Sequence, residues 1–259
     1  MNFQPQFRAL IGLLLAFEFS LPALATGAER EQDFLAGKSN ACTNCALERA
    51  ALKRRDLAGE DLTGAGLAMA VLHRARLAGT KLTGANLIGA NLNKADLKRA
   101  SLVQAKLNGA MLYEADLSAA DLTGADLSNS KMHKVRLVRA TLDRAILKGA
   151  ILTGARLDDA TLRDADMRGI NLVGGLLRGT ILAGADLSDS GLVNAVLRDA
   201  NLQGANLSGA DLFGADLTGA NLAGADLSNS RLSAATLTNA NLDGAKLTGA
   251  LMPDGSEHE

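Results

Sequence analysis

The chain has 259 residues with 27 Lys and Arg against 28 Asp and Glu, a balance that excludes a strongly basic nucleic-acid binder or a densely acidic decoy as the default reading. Gly is abundant at 27, Pro is scarce at 3, Trp is absent and Tyr single, so the core must be filled by small, uniform side chains rather than aromatics. Two cysteines are too few for a disulfide-dense scaffold but enough for one bridge.

The chain opens on the pattern of a secretory signal peptide, residues 1–25. Arg8 supplies the positive charge, Ala9–Phe17 an apolar run, and Ala23-Leu24-Ala25 a small-x-small cleavage pattern. The run is too short to span a bilayer as a helix, which needs roughly 20 residues. Glu18 sits awkwardly just behind it, and the bland alternative is a buried or frayed N-terminal helix. Cleavage after Ala25 predicts an exported mature chain, in the periplasm or cell envelope, without a transmembrane span.

Residues 26–45 form a cap segment that ends in Cys42-Thr43-Asn44-Cys45. In the five-residue register that follows in the chain, Cys42 takes a large inner position and Cys45 the next small inner one. Both therefore point into the first coil. An oxidising compartment favours a Cys42–Cys45 disulfide, and a pair of free buried thiols is the alternative. Haem attachment would need His at position 46, where Ala46 stands, and zinc would need two further ligands nearby.

From Leu52 to Met252 a large apolar residue recurs every fifth position: 41 positions, 38 of them Leu and three Met (Met132, Met167, Met252). Two residues before it stands Ala in 31 of the 41 cases, and Leu47 with Cys45 extends the register back one step. A helix fails this pattern, because at about 100° per residue successive Leu residues would be rotated by roughly 140° and form no stripe. An extended segment fits it, since Ala and Leu two apart point to one side, Asp or Asn between them points outward, and the following two residues turn the chain. Ala is kept at the small inner position of residues 65, 85, 105 and every twentieth residue to 245, while Ser130, Ser190 and Ser230 share a second side and Thr80 and Thr180 a third. Departures that respect a 20-residue period imply four sides per coil.

Units such as Ala85-Asn86-Leu87-Ile88-Gly89, Ala125-Asp126-Leu127-Ser128-Asn129 and Ala215-Asp216-Leu217-Thr218-Gly219 resemble the pentapeptide-repeat family, whose repeat is Ala-Asp/Asn-Leu-x-x. The resemblance implies an all-β fold, a right-handed quadrilateral parallel β-helix, over residues 46–252. Forty-one units make about ten coils, a rod of about 50 Å at roughly 4.8 Å per coil. Pro253-Asp254-Gly255 is expected to end the pairing, with residues 253–259 a polar tail. No terminal helix of the kind some family members use to dimerise is visible.

Chemistry is hard to place on such a rod. His73 and His133 lie three coils apart, too far to share a metal, and the many Asp, Ser and Thr residues read as turn positions. No enzyme, cofactor or small-molecule substrate is expected. Residues 46–180 carry 21 basic and 14 acidic side chains and residues 181–259 carry 3 and 10, so the rod is an axial dipole suited to head-to-tail association or to orienting a charged partner. Basic residues on the side of Leu77, among them Arg76, Arg136 and Arg156, are interleaved with Asp56, Asp96 and Asp116, which makes no phosphate track, so nucleic acid is not expected as a partner.

A different column stands out. On the side of Leu72, the outward position after Leu holds His73, Tyr113, His133, Val173, Val193 and Phe213, and the position before Leu holds Val71, Met111 and Ile151. Exposed apolar and aromatic residues at coil spacing resemble a contact surface; scattered surface hydrophobics are the plainer alternative. The expected function is a non-enzymatic exported binding or structural module, with a protein partner or a second copy on this side. The family also contains regulators that mimic duplex DNA and bind a topoisomerase. That alternative fits poorly with a signal peptide, near-neutral charge and no terminal helix.

Overall fold

A computed structural model describes residues 27–259; the predicted signal peptide lies outside the described residues. From Ala41 onward every fifth residue bridges, in parallel, the residue 20 positions later, from Ala41↔Asp61 to Arg231↔Leu251. One coil therefore takes 20 residues and four sides, as the super-period predicts. The expected extended segments are reduced to single bridging residues, because each corner begins two residues after the bridge.

The side of Leu72 shows the wiring. Leu72 N–H donates to Asn91 O at 2.8 Å and Arg74 N–H to Asn93 O at 2.9 Å, both one coil on. Asn91 N–H returns to Ala70 O at 2.9 Å, and Ala75 N–H closes the corner on Leu72 O at 2.9 Å. The second residue after Leu takes a positive φ, 65° at Gly214 and 56° at Arg74. Gly adopts this conformation without steric penalty, whereas an Arg there costs about 1–2 kcal/mol.

Each corner leaves one amide, that of the residue just after Leu, without a main-chain partner. The outward Asp or Asn supplies the acceptor: Asp126 Oδ1 takes Ser128 N–H at 2.9 Å, and Asp186 and Asp226 take those of Ser188 and Ser228 at 3.0 Å. This Asx bond is the physical reason for Asp or Asn ahead of Leu.

Inside, the Leu and Met positions from Leu57 to Leu232 are 0% exposed, with Ala in the gaps. Thr80 and Thr180 hydroxyls donate to Leu57 O (2.7 Å) and Leu157 O (2.9 Å) of the preceding coil. Ser130 and Ser230 are equally buried, and their hydroxyls have no partner.

The front end carries an element absent from the expectations. Helix α1, Gly27–Leu35, lies over the first coil and buries Phe34 completely. Arg55, at a small inner position, places its guanidinium 4.6 Å from the Phe34 ring centre. It also donates to the carbonyls of Leu35 (3.0 Å) and Phe34, satisfying the helix C-terminus. Glu31 Oε1 accepts Ala46 N–H at 2.8 Å, closing part of the exposed ladder. Cys42 and Cys45 form a disulfide beneath, at 1% and 2% exposure. Reducing it is expected to cost about 2 kcal/mol through the short loop it closes. Hydrogen exchange with and without dithiothreitol should place that loss in residues 42–60 and leave mid-rod amides unchanged.

The back end differs from the expectation. Pro253-Asp254-Gly255 does not end the pairing but turns a hairpin, with Leu251↔Glu257 bridged antiparallel. Met252 N–H donates to Ser256 O (2.7 Å) and His258 N–H to Ala250 O (2.9 Å). Gly255 at φ +86° and the bond from Ser256 N–H to Asp254 Oδ1 at 3.0 Å make the reversal possible. The hairpin covers only one side of the last coil, and Leu237, Leu242 and Leu247 remain half-exposed. Among the described residues no helix is long and apolar enough to cross a membrane.

Candidate interaction face

The ladder Val71↔Asn91↔Met111↔Lys131↔Ile151↔Asn171↔Gly191↔Asp211 stacks the predicted column on one side of the rod. Leu72 and its equivalents fill the inside, so the residues flanking them must face outward. Val71, Tyr113 and Phe213 are exposed at 37%, 38% and 36%. His73, Met111, His133, Ile151, Val173 and Val193 are half-buried on the same side. Cys42 and Cys45 are elsewhere, inside the first coil.

Among the described residues, four of the seven exposed large hydrophobics of the rod (Val71, Tyr113, Phe213 and Leu251) lie on this side, more than twice an even share among four sides. An aliphatic residue ahead of Leu forfeits the Asx bond, as at Val71, Met111 and Ile151. The same exchange occurs elsewhere, at Ile146, Leu176, Ile181 and Val196, so it does not single out the face. What does is its conjunction with the aromatics.

Each aromatic is built into a small charged assembly. Tyr113 N–H donates to Asn93 Oδ1 one coil back, at 2.8 Å. Lys94 Nζ lies 5.8 Å from the Tyr113 ring centre and 3.2 Å from Glu114. A hydrogen bond with Glu114, and the charge of that carboxylate, hold the Tyr113 hydroxyl above its ordinary pKa. Hydrogen bonds from Tyr113 and Lys94 hold Glu114 below its own. At the other end Arg231 stands 4.3 Å from the Phe213 ring centre and 3.3 Å from Asp211, whose Oδ1 accepts Phe213 N–H at 3.1 Å. Both rings are thus held by a cation and a carboxylate, about 24 Å apart at five coils. The two histidines are not brought together, and among the described residues no group of His, Cys, Asp and Glu could hold a metal ion.

The sequence reading missed the cations: Lys94 and Arg231 pack on the rings from neighbouring coils, 19 and 18 positions away. That spacing is one coil less one or two residues, which the column arithmetic would have revealed had charges been placed alongside the apolar residues.

The profile of the family described as pentapeptide repeats matches in eight copies, over residues 70–109, 110–149, 147–179, 180–219 and 215–252. Among solved structures, the chain is similar to HetL, a pentapeptide repeat protein involved in heterocyst differentiation regulation from Nostoc sp. strain PCC 7120. Identity is 36%, covering 89% of this chain and 98% of that one, with a TM-score of 0.52. It is also similar to Rfr23 of Cyanothece 51142 (34% identity, 37% of this chain and 58% of that one, TM-score 0.23). QnrB1, a plasmid-mediated fluoroquinolone resistance protein, matches at 19% identity over 66% of this chain and 84% of that one, TM-score 0.37. A comparison with curated proteins gives no significant match.

Proposed function

We propose, from the premise that the chain belongs to the pentapeptide-repeat family, that it is an exported, non-enzymatic binding module whose working surface is the side of Leu72. The fold of the family is a right-handed, four-sided β-helix; here it makes about ten coils. A rod with a packed interior offers no enclosed site for a substrate, so its outer sides are what a partner meets. The observation that carries the reading is the line of exposed Val71, Tyr113 and Phe213 on one side.

Export rests on the signal-peptide pattern of residues 1–25, and the mature chain would work in the periplasm or cell envelope. An N-terminus at Thr26 in an envelope fraction supports this, and an intact Met1 in the cytoplasm overturns it. The DNA-mimic alternative gains nothing from the face, whose N-terminal half is basic rather than acidic.

The face is tested by photo-crosslinking in the native cells. A photoreactive residue at Val173 should give a discrete adduct, and one at Thr123, on the opposite side, should give none. Tyr113→Arg with Phe213→Arg should abolish the Val173 adduct while the melting temperature stays within a few degrees. Equal adducts from both sides, or an adduct indifferent to the double substitution, would sink the assignment.

A further inference from the structure

The face is not electrically uniform. Between residues 51 and 134, the outward and corner positions of the Leu72 side hold Lys53, Arg54, Arg74, Lys94, Lys131 and Lys134 against the single carboxylate Glu114. Between residues 151 and 234 the same positions hold Arg231 and Asp211 alone, which pair with each other. The basic half therefore carries a net charge of +5 over about 20 Å, four coils of roughly 4.8 Å.

Pairing sets this patch apart from most of the basic residues on the neighbouring side. On the neighbouring Leu77 side, over the same coils, Arg76, Lys98, Arg136 and Arg139 each lie within 4.0 Å of an Asp and Arg99 alone does not. In the basic half of the Leu72 side, only Lys94 has a carboxylate so close, Glu114. Lys53, Arg54, Arg74, Lys131 and Lys134 take part in no ion pair among the described residues. His73, among them, feels the result: desolvation and then the charges of Arg74, Lys53, Lys94 and Arg54 push its pKa down.

We infer that the N-terminal half of this face docks the acidic surface of another protein. The inference rests on the reading of the Leu72 side as a contact surface and adds the chemistry of its partner. Five cations without an ion-pair partner, on a half-face of net charge +5, create a field that an anionic patch would neutralise, and Val71, Met111 and Tyr113 supply apolar contact between them. A protein of limited footprint fits better than an extended anionic surface. A membrane or a duplex lying along the rod would also meet the C-terminal half of the face, whose charges between residues 151 and 234 are Arg231 and Asp211, already paired with each other, so it would gain nothing there. A second copy fits poorly too. Two-fold pairing sets this net positive face against itself, and docking on the acidic half of a copy would not close.

The test uses the full chain and fluorescent poly-L-glutamate as the probe, at about one Debye length of 10 Å in 0.1 M salt. Arg74→Glu with Lys134→Glu should weaken binding at least tenfold. Lys106→Glu with Lys148→Glu makes the same charge change on another side and should weaken it less than twofold. Equal losses, no binding by the wild type, or tighter binding to vesicles with 30% phosphatidylglycerol or to a 20-base-pair duplex would each overturn the inference. So would dimerisation in sedimentation that Arg74→Glu with Lys134→Glu removes. If these measurements fail while the Val173 adduct persists and remains sensitive to Tyr113→Arg with Phe213→Arg, the face stands and only the acidic partner falls.

Discussion

Phe34→Ala is expected to destabilise the first coil by about 3–5 kcal/mol, the range for removing a fully buried aromatic. Phe34 is 0% exposed although it belongs to a nine-residue helix, too short to persist alone. α1 is held by docking, and the ring is its anchor. Removing the ring also releases Arg55, which sits over it at 4.6 Å and donates to the helix C-terminus. The opened end would then present unpaired strand groups, the liability a cap exists to cover. Because each coil touches only its neighbours, the damage should stay local. Hydrogen exchange should show residues 42–60 losing protection while residues near Leu142 keep theirs. A loss below about 1 kcal/mol, or protection lost uniformly along the rod, would mean that α1 is not a cap.

The body of this fold was legible because one rule is repeated. Every coil restates that a small residue and a Leu point inward and that Asx bonds the corner, so the bridging of Val71 with Asn91 follows from counting twenty. The candidate face was legible for the same reason, since residues 20 apart share a column whatever they are. The ends were not. α1 repeats nothing, and its trace in the sequence is the pair of consecutive departures from Ala at Arg55 and Glu60. The structure explains the first, since Arg55 serves the helix, and nothing in it explains Glu60. The hairpin at Pro253-Asp254-Gly255 was misjudged because a turn can end a ladder or reverse it, and the choice is made by main-chain bonds such as that from His258 to Ala250. The unpaired cations were missed because pairing depends on neighbours one coil away, so composition along a single column cannot reveal it.

Leu142→Ala should cost about 3–5 kcal/mol and Leu242→Ala about 1 kcal/mol or less, although the two residues occupy the same side and register. Leu142 is 0% exposed, enclosed by coils above and below. The ladder there is tight, with Leu122 N–H to Thr141 O and Leu142 N–H to Thr161 O both at 2.7 Å, so the walls cannot collapse onto the cavity. Leu242 is only partly buried. Its coil is the last, the hairpin of residues 251–258 covers another side, and the gap left by the side chain opens to water rather than forming a void. The folded end therefore loses little that it had. Urea denaturation of the two variants measures the difference, and the shape of the transition adds to it. A lesion in mid-rod weakens the coupling between two halves that can each remain stacked, so Leu142→Ala should broaden or split the transition. Leu242→Ala should leave it single. Equal costs for both substitutions would show that stability is not set by stacking on both sides of a coil, and the view of the rod as a sum of neighbour contacts would have to be abandoned.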